Sequence, residues 1–171
     1  MTFNWIKYSG IAVLVILLQV LVFNHVLFQS YMNPYLYLVL LLMLPKALPK
    51  QGALFLGFMI GLIIDFFTDS AGLHAGACTL VMLIRSYLVN IIKTKEDYEP
   101  HQGINVHRIG FQSYVMYAGL LLFILHLYIF TLEYFTLNHF FSNILKAFLS
   151  SLLSLVLILL SQYLFIQSKN R

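Results

Sequence analysis

The sequence predicts an all-α integral membrane protein, with six transmembrane helices forming a single domain over residues 1–171. Of the residues, 61% are hydrophobic and 9% charged, against about a quarter charged in a soluble domain. Apolar runs near the length of a bilayer span recur along the whole chain. The alternating ten-residue segments of a membrane β-barrel are absent from the sequence, and no stretch is long and polar enough for a separate soluble domain.

The first span, residues 9–28, follows Lys7 and superficially resembles a signal peptide. It runs for about twenty apolar residues and ends in "NHVLFQS", without a small-x-small cleavage site, so it reads as a retained helix. The second and third spans, 34–48 and 52–67, are short, roughly 22 to 24 Å at about 1.5 Å per residue. Lys46 and Lys50 at the turn between them argue against a re-entrant hairpin, because two lysines at mid-bilayer are costly. Pro34 suits a helix start and Pro45 a kink or stop. Spans four to six are expected at 72–92, 111–137 and 140–166.

With the N-terminus inside, Lys7, Lys46, Lys50, Lys93, Lys95, Arg108, Lys169 and Arg171 all fall on the cytoplasmic side. The outer connections, around 29–33, 68–71 and 138–139, hold no Lys or Arg. That bias predicts two cytoplasmic termini. It also accounts for the formal charge of +4 without nucleic acid. The polar stretch "TKEDYEPHQGINVHRIG" becomes a cytoplasmic loop, either a solvated linker or a docking loop.

Helix faces locate the polar groups. Gly57, Gly61 and Asp65 follow at four-residue steps on span three, and Gly72, Gly76, Thr79, Leu83, Ser86 and Asn90 form a stripe on span four. Small-xxx-small patterns on both sides of a tight turn predict a closely packed helix hairpin. Asp69 and Ser70 stand where they can cap the fourth helix, with His74 in its first turn. Gln112, Gly119, His126 and Glu133 recur every seven residues on span five, facing Asn143, Lys146, Ser150, Ser154 and Ser161 on span six. Glu133 and Lys146 are expected to form a buried ion pair, since polar groups turn away from lipid. Arg85 is placed to snorkel to the inner interface. Asn24, His25, Asp65, His74, Glu133 and Lys146 concentrate polarity in the outer half, which implies a water-accessible depression or docking site there.

Chemistry is not expected. Asp65 and Asp69 lie on one short segment, whereas a carboxylate dyad needs two facing elements. The six histidines form no metalloprotease signature, and Cys78 is alone. No metal, cofactor or catalytic residue is therefore assigned. His126 reads as a satisfied bundle histidine.

The segment "GALFLGFMIGLIIDFFTDSAGLHAGACTLV", Gly52 to Val81, resembles the rod shape-determining MreD family. In that family a glycine-containing helix ends in Asp, and a Ser/Gly connection leads into a Leu-Gly-Leu-His-like helix start. Gly57, Gly61, Asp65, Ser70, Gly72, Leu73 and His74 match this pattern. The resemblance implies a multi-pass scaffold of the bacterial inner (cytoplasmic) membrane, not an enzyme. Its implied direct partner is MreC, within a complex of MreB, RodA and a class B penicillin-binding transpeptidase that controls cell shape and peptidoglycan synthesis. Gly57, Gly61, Asp65, Ser70, Gly72, His74 and Gly76 are then packing and partner-interface residues. The family also looks related to the substrate-binding subunits of energy-coupling-factor vitamin transporters, which supplies the alternative function. Those subunits dock through an Ala-x-x-x-Ala stripe on their first helix, and "SGIAVLVILLQVLVFNHVLF" has none.

Overall fold

The computed structural model describes residues 4–24, 33–92, 99–133 and 140–165. His25, Lys93, Lys95, Glu96, Asp97, Lys169, Arg171 and the far ends of the first, fifth and sixth expected spans lie outside these residues. Everything described is helix, turn or loop, with one isolated backbone bridge between Pro45 and Gly103.

Among the described residues, five helices are long and apolar enough to cross a membrane. Helix α1 (Trp5–Leu18) starts where the Asn4 side chain accepts from the Lys7 N–H at 3.1 Å, and it runs on into a π-helical turn over Gln19–Phe23. Helices α3 (Lys50–Thr68) and α4 (Leu73–Ile91) form a tight hairpin. A short helix, α5 (Val106–Ile109), precedes α6 (Phe111–Glu133), which packs along α7 (Phe140–Phe165).

The expected second span is where sequence and structure part. Residues 34–48 are helical only over α2 (Leu38–Leu42). Tyr37, Leu38, Leu40, Leu41, Leu42 and Leu44 expose no surface at all. The segment runs antiparallel to α1: the Tyr8 hydroxyl donates to Leu40 O at 3.0 Å, while Gln19 grips residues 34–37 further along. At its other end Ile104 N donates to Met43 O (3.2 Å) and Ala47 N to Pro100 O (2.8 Å), beside the connection between α4 and α6. Prolines at 34, 45 and 49 limit helix length here. An irregular backbone survives at this depth because protein surrounds it and supplies the missing hydrogen-bond partners.

Arg85 is one such partner, and this corrects its expected snorkelling. It is only 2% exposed, donating from Nε to the Tyr117 hydroxyl at 2.8 Å and from Nη2 to Leu44 O. Tyr117 in turn donates to Leu42 O at 3.2 Å. The carbonyls left open where α2 stops thus meet a cation and a phenol, the charge that a helix C-terminus favours. Gln162 does similar work on the opposite side, accepting from Val106 N at 3.0 Å and donating to the Tyr114 hydroxyl at 2.9 Å.

Candidate functional site

The α3–α4 hairpin is built around Asp65. One carboxylate oxygen accepts from the His74 N–H (2.9 Å) and from Ser70 Oγ, and the other accepts from the Ala75 N–H at 2.8 Å. Both backbone donors belong to the free N-terminus of α4, where negative charge is stabilising. The helix is therefore capped from across the turn. Asp69 and Ser70, expected as the caps, do not serve: Asp69 is exposed and left-handed (φ 51°), and Ser70 is a donor to Asp65. Gly72, the residue before α4, sits at φ +89° and has no side chain of its own to offer as a cap.

The glycines divide into two kinds. A Cβ at Gly61 would come within 2.5 Å of Ala75 Cα and of His74 O, and one at Gly57 within 2.6 Å of Met82 Cγ. These two let α3 lie directly on α4. Gly72 has open space around it and is needed for its positive φ. Gly76 points elsewhere: its Cβ would strike the Tyr128 hydroxyl of α6 at 2.6 Å. The stripe expected on span four is thus displaced, with Leu83 and Asn90 exposed while Ala75, Cys78 and Met82 are buried.

Above the hairpin lies a buried polar cluster. The Tyr37 hydroxyl meets His74 Nδ1 at 2.9 Å and lies 3.9 Å from Cys78 Sγ. Tyr35 stacks on His126 (centroids 4.8 Å apart, 22° between planes) and meets His74 edge-on at 5.1 Å. His126 is fully buried, its Nδ1 at 2.8 Å from Leu122 O and its Nε2 at 3.0 Å from Asn33 O. Ser150 Oγ accepts from Asn33 N at 3.2 Å, and Ser154 Oγ from Tyr35 N at 2.9 Å. Gln19 completes the frame, accepting from Leu36 N at 2.7 Å and donating to Pro34 O (3.1 Å) and Asn24 Oδ1 (3.0 Å). Residues 33–37 are thereby held by side chains from α6, α7 and the π-turn.

Next to this frame is a pocket of about 460 Å³. Its polar lining comes from Gln19, Asn24, Asn33, Thr68, Ser70, His74 and Glu133, its apolar lining chiefly from Phe23, Tyr35 and Phe67. Asp65 and Lys146 do not line it. The expected burial of the Glu133–Lys146 pair needs correcting: Glu133 is exposed at the last position of α6, and Lys146, partly buried on α7, acts on it through space. Gln112, at the opposite end of the same heptad line, is exposed too. A seven-residue repeat drifts around a straight helix by about 20° per step, so only His126 and Gly119, in its middle, turn inward. Because Glu133 is exposed, Glu133→Gln should change stability by less than about 1 kcal/mol. Thermal unfolding in a matched bilayer or micelle measures this.

Gln19, Tyr35, Tyr37 and Gln162 were not singled out in the sequence, yet they organise the interior. Gln19 had a signal: it is an amide in the middle of an otherwise apolar run, five residues before Asn24. The tyrosines had none, since aromatic residues make up 16% of the chain.

Comparison of the chain with protein-family models, curated proteins and solved structures finds no match. Among the described residues, no group of three or more His, Cys, Asp or Glu side chains is placed to hold a metal ion.

Proposed function

We propose that this chain is a non-enzymatic scaffold of the bacterial inner membrane, of the MreD kind. In this reading it binds MreC directly and belongs with MreB, RodA and a class B penicillin-binding transpeptidase to the complex that elongates the cell wall. One observation carries the reading: the segment that resembles the family, Gly52–Val81, spends its distinctive residues on a rigid hairpin. Asp65 spends both oxygens on the hairpin, one on the His74 N–H and Ser70 and the other on the Ala75 N–H. Gly57 and Gly61 fix the helix contact. A hairpin locked in this way presents a fixed outer face, with Phe55, Leu62 and Phe66 of α3 exposed, to lipid or to a partner helix.

The pocket favours a second reading, a substrate-binding subunit of an energy-coupling-factor type of transporter. Purification in a mild detergent, with identification of the retained partners, separates the two. Recovery of cell-wall elongation proteins is expected. Recovery of a pair of ATPases with a coupling subunit would instead establish the transporter.

A further inference from the structure

The pocket holds two classes of polar group. Gln19 has its amide oxygen and nitrogen both engaged, and Thr68 and Ser70 bond to each other, to Ile64 O and to Asp65. These groups build walls. Four others have capacity left: the Asn24 Nδ2 amide, the Asn33 side-chain amide, the His74 Nε2 and the Glu133 carboxylate make no hydrogen bond with any described residue.

His74 is the most telling of the four, being 4% exposed and anchored through its backbone to Asp65. The Cys78 thiol donates to the Tyr37 oxygen, and the Tyr37 hydroxyl shares a hydrogen bond with His74 Nδ1. With Nδ1 engaged by Tyr37, Nε2 is the ring atom that the pocket leaves to a ligand. An imidazole nitrogen is a donor in one tautomer and an acceptor in the other, so it can meet a ligand hydroxyl in either role.

Charge narrows what the partner can be. Among the described residues no Lys or Arg lines the pocket, so an anion finds no counter-charge there. Glu133 is the one carboxylate in the described lining, and the positive charge of Lys146 acts against its pull on a cation. Two amides, one imidazole nitrogen and one carboxylate, set among the rings of Phe23, Tyr35 and Phe67, suit a molecule with hydroxyls and a carbonyl or amide.

We propose that this pocket binds a small neutral molecule of sugar size, rich in hydroxyl and amide groups, through Asn24, Asn33, His74 and Glu133. The site is independent of whether the chain scaffolds or transports. The same neutral group can arrive free in solution or as the head of a glycolipid.

The test uses the whole chain in phospholipid nanodiscs, so that no glycoside detergent competes. Saturation-transfer NMR is recorded with glucose, N-acetylglucosamine, protonated glucosamine and glucuronate, which share one ring and differ in charge. Transfer to the two neutral sugars and not to the charged ones is expected. Asn33→Ala, whose side chain bears no structural bond, should weaken N-acetylglucosamine about tenfold, the loss of one hydrogen bond to a ligand. Glu133→Gln should admit glucuronate. If adding a glucosyl diacylglycerol to the nanodisc displaces the free sugar, the bound head group comes from lipid; if it does not, the soluble form is the ligand. No transfer to either neutral sugar, equal or stronger transfer to a charged one, or an unchanged Asn33→Ala variant would each overturn the proposal.

Discussion

Gly61→Ala should destabilise this protein more than the same change at Gly57 or Gly76, where the nearest atom belongs to a side chain. The new Cβ would lie 2.5 Å from Ala75 Cα and from His74 O, atoms of a helix backbone that cannot rotate aside. Relief requires α3 and α4 to separate, which withdraws α4 from the Asp65 carboxylate. Overpacking of this kind costs about 1–3 kcal/mol, and stretching the Asp65 bonds adds to it because they are charge-assisted. Gly10→Ala is the matched control, since nothing lies within 4 Å of a Cβ there. It should be neutral or slightly stabilising, because alanine is the better helix former. Melting curves of the two variants in the same detergent decide the matter: a drop confined to Gly61→Ala is expected, and equal melting would mean that the hairpin is not closed as described.

Arg85→Met should be nearly as damaging, for a different reason. The substitution keeps an apolar stem but strands Leu44 O and removes the donor to Tyr117, which itself holds Leu42 O. A buried acceptor without a partner costs about 1–3 kcal/mol, and in lipid no water can replace it. Arg85→Lys should rescue poorly, because one ammonium cannot address two separated acceptors in the way that the guanidinium fork does. The expected pattern is Met worst, Lys intermediate and arginine best, read as the fraction of monodisperse protein recovered from membranes. Full recovery of Arg85→Met would show that α2 does not depend on this cap.

These two sites also mark how far the sequence could be read. The hairpin was legible because Gly57, Gly61 and Asp65 recur at four-residue steps, and helical geometry alone puts them on one face. What Asp65 bonds to was not, since it caps α4 from across the turn while Asp69 stands nearer in sequence. The second span misled because hydropathy cannot tell burial in lipid from burial in protein. Residues 35–44 are apolar on every side because the bundle closes around them, not because they cross as a regular helix. Arg85 followed from the same error: its acceptors exist only because α2 ends early. The outer polar groups were visible as types, and Asn24, Ser70, His74 and Glu133 do line one pocket. Gln19, which frames it, showed only as one amide in an apolar run, on the spanning helix that the described bundle covers least.

In the scaffold reading proposed above, the hairpin shapes a surface for partners and performs no turnover. Asp65→Asn tests it most directly, because it retains the side-chain shape while removing the charge and one acceptor from the end of α4. Wild type and variant are compared at matched membrane levels, scoring retention of MreC and cell shape separately. The account predicts that the two fall together: cells round in proportion to the complex lost. Loss of shape with every partner interaction intact would give Asp65 a direct activity and contradict the scaffold reading.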